Sequence, residues 1–227
     1  SVGAGTSFEQ FKDIFTTLGE NLSYDDLRTT SNASSSLKKQ SGDFTDLAVN
    51  YGFTYDKRNR AFMPTDGSIF GFNQSLPIYA DKPSVSNTLR YSTYHELTDN
   101  FVGSGKLLLT TVNGLNDENV RISNRKSLST KRLRGFSRGK IGPVDGNDHV
   151  GGNYAAAVNF DVNLPNLLPE SSNTDISLFL DFGNVWNVDY SDTIDDSNKL
   201  RSSTGFNANV ISPIGPLTFT IATNLSK

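Results

Sequence analysis

Apolar and polar residues alternate with a period of two along most of this chain. Between residues 49 and 55, Val49, Tyr51, Phe53 and Tyr55 fall on one face, and Asn50, Gly52 and Thr54 on the other. Further on, Tyr154, Ala156, Val158, Phe160 and Val162 oppose Ala155, Ala157, Asn159 and Asp161. Ile176, Leu178, Leu180 and Phe182 oppose Asp175, Ser177, Asp181 and Gly183, with Phe179 alone breaking the polar row. Near the end, Leu217, Phe219, Ile221 and Leu225 oppose Thr218, Thr220, Ala222 and Asn224. Successive side chains of a strand point to opposite faces, so each stretch predicts a strand with one apolar and one polar side. Nine strands are predicted, at about 2–15, 44–57, 68–79, 85–97, 100–113, 150–163, 174–187, 200–211 and 216–226.

Many of these strands are longer than the usual ~5–6 residues of globular proteins and match the ~9–11 that cross a bilayer with tilt. Their connections alternate in length. Asp56–Gly67, Leu97–Asn100 and Ser212–Gly215 are short, whereas residues 16–43, 114–149 and 188–199 are mostly long. Short turns at one end and long loops at the other are the asymmetry of outer-membrane barrels. A soluble β-sandwich competes with this reading, but it would turn every ~8–12 residues and need a thicker core. The pattern therefore predicts an all-β, antiparallel transmembrane β-barrel of about nine strands, with residues 1–227 forming one unit without an interdomain linker. Residues 28–42, rich in Ser, Thr, Asn and Lys, read as a polar loop with a short helix around Leu37.

Composition agrees with a barrel. Only 35% of the 227 residues are hydrophobic, and the mean hydropathy is −0.40, yet 11% are aromatic, too many for a disordered chain. No apolar run approaches the ~18–20 residues of a spanning helix, but a barrel hides its apolar face at every second position. Cysteine is absent, which removes disulfide scaffolds and thiolate metal sites. Lys plus Arg number 21 against 24 Asp plus Glu, so no global basic charge recruits nucleic acid. No signal peptide is visible, and a chain opening on Ser1 that alternates by Phe8 reads as a cut.

Charge is concentrated in the loop 114–149, which far exceeds the ~12–15 residues at which structureless loops become uncommon. Arg121, Arg125, Lys126, Lys131, Arg132, Arg134, Arg138 and Lys140 stand there without an acid between them. The acids Asp161, Glu170, Asp175, Asp181, Asp189, Asp192, Asp195 and Asp196 follow, against Lys199 alone. Asp161 and Asp181 lie on the polar faces of long strands and would face a barrel lumen. Two partly desolvated carboxylates repel and resist ionisation unless a cation joins them. One Arg satisfies both, since its guanidinium has five donors and stays charged. Leu133-Arg134-Gly135-Phe136 offers that Arg on a loop folded back inside, with Gly135 free to take positive φ and Phe136 as an apolar anchor.

The same segments carry a family resemblance. Leu133-Arg134-Gly135-Phe136 resembles the V/I-R-G-F signature in the sixth extracellular loop of the BamA-type outer-membrane barrel insertases, to which the TamA, Sam and Toc barrels are related. Phe179 to Trp186, with Asp181 and Gly183, resembles that family's F-x-D-x-G-x-V-W strand. Val150-Gly151-Gly152-Asn153 is similar to its V-G-G-N restart, and Ser212-Pro213-Ile214-Gly215-Pro216-Leu217 to a turn near its end. Tyr55 to Arg60, through Pro64 to Gly67, resembles a periplasmic turn. The resemblance implies that Arg134 pairs inside the barrel with Asp161 and Asp181. It also implies that the nine strands match strands 7–15 of sixteen, with the POTRA domains and first strands upstream of Ser1 and a last strand after Lys227. Two open edges cannot close in a membrane as they stand.

The implied function is assembly of nascent barrel proteins into the outer membrane of a Gram-negative bacterium, without covalent chemistry. Implied partners are nascent outer-membrane proteins, accessory lipoproteins mainly through the POTRA region, lipid and lipopolysaccharide; nucleic acid is not among them. The alternatives are a TamA-like or two-partner-secretion translocation barrel and a passive porin. An outer-membrane enzyme would need a base beside a nucleophile, and neither His95 nor His149 has a Ser at a telling spacing. His95 reads as an interface or lumen residue, and His149 as a cap on the long loop. Trp186, Tyr190 and Tyr154 are expected in an aromatic girdle. No cofactor or metal spacing is present.

Overall fold

The structure, a computed structural model, describes residues 1–98, 101–164, 174–194, 196–212 and 215–226. Asn100, Glu170, Asp195, Pro213, Ile214 and Lys227, used in the readings above, lie outside them.

The described residues form twelve strands in chain order: β1 (Val2–Phe11), β2 (Ile14–Leu27), β3 (Gly42–Asp56), β4 (Gly67–Ala80), β5 (Ser84–Thr98), β6 (Phe101–Gly114), β7 (Val144–Asp145), β8 (Asp148–His149), β9 (Tyr154–Leu164), β10 (Thr174–Trp186), β11 (Arg201–Ser212) and β12 (Gly215–Ser226). Ten of them form one antiparallel sheet in which each pairs with the next, β6 joining β9; β7 and β8 make a hairpin of their own. β1 and β12 are the two ends of the sheet and do not pair with each other, so the wall is an open barrel segment.

The count of wall strands exceeds the nine expected. The first candidate, 2–15, is the start of a hairpin, and β2 occupies half of the supposed loop 16–43. Glu20 interrupts the outward row Leu18, Leu22 and Tyr24, which hid the alternation. The turn also lacks glycine: Asp13 takes the left-handed conformation at φ 66°, one that Asp tolerates. The loop shortens to 28–41 and contains α1 (Ser35–Lys38), capped where Leu37 N–H donates to Ser34 Oγ.

The predicted faces are those of the wall. Phe160, Leu178, Phe206, Phe219 and Ile221 are exposed, and among the described residues no second sheet covers them. Phe53, Phe70 and Phe72 pack ring against ring in the same outer row, with centroids 5.7 and 5.8 Å apart. Asn159, Asp161, Ser177, Asp181, Ser203 and Asn207 are buried on the other face. What buries them is the segment between β6 and β9, which crosses the concave side. Leu128, Leu133 and Ile141 from that segment pack with Leu108, Ala155, Ala157 and Val185 of the wall, and Phe136 joins them.

At the end of the wall where the long connections emerge, three of them interlock. Leu37, Val150 and Val188 form a second apolar cluster with Ala33, Ile122, Tyr190 and Ile194. The β7–β8 hairpin binds across it: Asp145 accepts from the Ser34 hydroxyl (3.0 Å) and the Tyr190 hydroxyl (3.1 Å), and Asp148 from Ser34 N–H (3.0 Å). Tyr190 is thus a loop residue rather than a girdle residue, with Arg125 over its ring. Tyr154 and Trp186 do stack with each other on the wall, 5.9 Å apart. His95 is exposed near Asp66, and His149 sits in β8 opposite Val144.

Close approach of loop to wall depends on Gly152. Its backbone exchanges hydrogen bonds with Lys126 (2.7 and 3.1 Å), and a Cβ there would lie 2.3 Å from the Trp186 carbonyl oxygen. Gly152→Ala is expected to destabilise the barrel by about 1–3 kcal/mol through overpacking. Gly71→Ala, whose Cβ meets nothing closer than 3.8 Å, should be near neutral. The midpoint of heat-dependent gel mobility separates the two.

Candidate functional site

The site is an ion cluster between the in-folded segment and β9–β10. Asp161 opposes Phe179 and Asp181 opposes Asn159 in the β9–β10 register, so the two carboxylates stand diagonally on the concave face. Asp181 is fully buried, and Asp161 nearly so. Arg134 bridges them. Its Nε and Nη2 donate to the two oxygens of Asp181 (2.7 and 2.5 Å), and its Nη1 donates to Asp161 (2.6 Å). The Arg134 backbone N–H also donates to Asp181 (3.0 Å), which fixes the loop as well as the side chain. This is the bidentate geometry that a lysine cannot reproduce.

Three further residues complete the cluster, and the sequence reading assigned none of them there. Lys106 on β6 donates to the other oxygen of Asp161 (3.2 Å). Two acids therefore face two cations, and the cluster is neutral. Neutrality matters because an unbalanced charge in a desolvated site costs several kcal/mol. Asn159 donates to Asp181 (2.7 Å) and to the Arg132 carbonyl (2.9 Å). Phe179, the residue that broke the polar row, lies under the Arg134 guanidinium at 3.8 Å, a cation–π contact. The break in alternation was the only sequence signal for it.

The remaining motif residues seat the loop. Leu133 is wholly buried in the apolar cluster, with Phe136 packed at its side. Gly135 has φ +84°, and a Cβ on it would come within 2.7 Å of Asn224 Oδ1 and 3.1 Å of Ala222 on β12. Gly183 leaves room for Leu128, which a Cβ would approach to 2.9 Å. Gly151 (φ +67°), Gly152 and Trp186 meet five residues further along β10 from Asp181, at the loop's return to β9. The structure thus brings Leu133, Arg134, Gly135, Phe136, Asp161 and Asp181 together and sets the Gly151–Gly152–Trp186 contact apart.

The basic residues at the start of the segment find other partners. Arg121 is 3% exposed, pairs with Asp46 on β3 and with Asp25 on β2 (3.4 Å), and lies 4.7 Å over the Phe44 ring. Arg125 pairs with Asp189 (3.0 Å). The match of basic loop to acids therefore extends to β2 and β3, upstream of the acidic stretch 150–199 that the charge pattern indicated. Among the described residues no group of three or more His, Asp or Glu is placed to hold a metal.

Beneath Arg134 lies a cavity of about 950 Å³, lined among others by Ser104, Lys106, Ser177 and Asn207. Its lining is mixed, with Phe62, Met63, Val102 and Phe136 beside these polar groups.

The whole of residues 1–227 matches the Omp85 superfamily domain. The chain belongs to the Omp85 superfamily. Among curated relatives of this Omp85 chain, the outer membrane protein assembly factor BamA of Neorickettsia risticii is 27% identical over 230 residues, covering 98% of the chain and 31% of that protein. A SAM50-like protein of Schizosaccharomyces pombe is 27% identical over 169 residues, 70% of the chain and 35% of the relative. The chain spans about a third of the length of these relatives. Among solved structures, BamA from Haemophilus ducreyi lacking POTRA domains 1–3 superposes with a TM-score of 0.87 at 24% identity, over 99% of this chain and 50% of that one. CdiB from Acinetobacter baumannii gives 0.63 at 13% identity, over 98% and 37%. The fold is that of a BamA-like barrel, and its location is the bacterial outer membrane.

Proposed function

We propose that this Omp85 chain supplies wall strands and the in-folded loop of an insertase that folds nascent barrel proteins into the outer membrane. Nothing covalent is required of it. The work is pairing of an incoming strand with a sheet edge, in which backbone hydrogen bonds carry the affinity. The ion cluster around Arg134 supports this reading: it holds the loop across the lumen, as a machine with a braced wall needs and an open pore does not. Similarity to an assembly factor along 98% of the chain points the same way. Nascent outer-membrane proteins are the proposed substrates. Lipid, lipopolysaccharide and accessory lipoproteins bound through POTRA domains are the proposed partners.

A two-partner-secretion translocation barrel is the second reading, favoured only by the CdiB-like fold at a TM-score of 0.63. Reconstitution distinguishes them. Proteoliposomes carrying the full-length protein should speed the appearance of heat-modifiable, folded substrate barrel over protein-free liposomes. An unchanged rate, with passage of an unfolded passenger into the lumen instead, would replace the insertase with the translocator.

A further inference from the structure

We propose that a pocket at the loop end of the β4–β5 seam binds a phosphate group, with Lys126 as its cationic ligand. The β4–β5 ladder stops at the pair Ser75–Ser86. Beyond it, β4 pairs with β3 only as far as Ala80, and Ser84 and Val85 pair only with β6. Pro77, which has no N–H to give, sits in this unzipped stretch. Behind the gap lies a cavity of about 360 Å³ whose lining includes Ser75, Ser84, Ser86, Ser123 and Asn124.

Charge accounting singles out one residue. Four charged side chains line the cavity: Asp46, Lys82, Arg125 and Lys126. Asp46 is paired with Arg121, Lys82 with Glu118 (2.6 Å) and Arg125 with Asp189 (3.0 Å). Lys126 donates to Ser86 Oγ (2.6 Å), and among the described residues no carboxylate lies within ion-pair distance of its Nζ. Burial pushes its ammonium pKa down, the mark of a desolvated cation without a counter-charge. The Ser86 bond holds the ammonium, and the Lys126 backbone is bonded in both directions to Gly152. Asn124 donates to Ser84 Oγ (3.4 Å), placing a second hydroxyl beside the first. An ammonium with two free donors beside serine hydroxyls matches the acceptor oxygens of a phosphate. Both a lipid headgroup at the outer leaflet and free phosphate present this chemistry.

The test uses full-length protein in nanodiscs of digalactosyldiacylglycerol, a lipid without phosphate, and reads the thermal unfolding midpoint. One arm adds inorganic phosphate; the other compares nanodiscs holding lipid A with nanodiscs holding dephosphorylated lipid A. Ligand binding to the folded state should raise the wild-type midpoint by about 2–4 °C in at least one arm. Lys126→Met should abolish the rise and Lys126→Arg should keep it. Without phosphate, Lys126→Met should unfold no earlier than wild type, since it removes an uncompensated charge; this checks that the variant folds. A rise with inorganic phosphate assigns the site to the free anion, and a rise only with phosphorylated lipid A assigns it to the headgroup. An equal rise in wild type and Lys126→Met, or none in either arm, overturns the proposal. The readout is independent of insertion activity, so it stands or falls apart from the insertase reading.

Discussion

Arg134→Ala is expected to lower the stability of the barrel by about 3–5 kcal/mol, the cost of leaving a buried ion pair half-made. The size follows from the surroundings. Asp181 is 0% exposed and receives three of the four hydrogen bonds that Arg134 makes to the two acids. The backbone N–H survives the substitution, but it cannot neutralise the carboxylate. Lys106 stays with Asp161, so the deficit falls on Asp181. Arg134→Lys should lie between wild type and Ala, because an ammonium keeps the charge and loses the fork. The exchanged pair, Arg134→Asp with Asp181→Arg, should recover part of the loss by restoring neutrality. Gel-mobility midpoints give the stability series, and the reconstituted assay should show folding of substrate slowed in the same order. Wild-type stability and wild-type rate in Arg134→Ala would refute the role of the cluster.

Arg121→Ala should cost about 1–3 kcal/mol, the penalty of leaving buried acceptors unpaired. Asp46 is mostly buried and loses its cation, whereas Asp25 is 42% exposed at its side chain and recovers water, which keeps this loss below that of Arg134. The loss includes the contact with the Phe44 ring. Arg121 anchors the start of the segment to β2–β3 and Arg134 anchors its middle to β9–β10, so together they brace the curvature of the wall. The double variant should therefore lose more than the sum of the two singles, a coupling that a double-mutant cycle measures.

Much of the wall was legible because side-chain alternation is a local property. Phe160 and Asp161 take opposite faces by parity alone, whatever surrounds them. β2 was not legible, since Glu20 stands in the apolar row and Asp13 makes a turn that Gly or Asn usually signals. The site was legible where parity and one planar cation sufficed: two acids on inward rows and an Arg between a buried Leu and a glycine. Lys106 gave no such signal, being one inward residue of β6 among several. Phe179 registered only as an irregularity until the guanidinium was seen above it. Arg121 looked like any other member of a basic loop, because its partners Asp46 and Asp25 lie 75 and 96 residues upstream.

The amino-acid order by itself determined most of the wall strands, which of their faces is apolar, and the Arg134–Asp161–Asp181 centre of the cluster, because a period of two and the need to neutralise inward carboxylates operate over a few residues. Only the tertiary structure decided where the long segment comes to rest. Its landing points on β2–β3, β10 and β12 depend on the curvature of ten strands taken together, and that curvature settles which cations meet a carboxylate, as Arg121, Arg125 and Arg134 do, and which, like Lys126 in its cavity, do not.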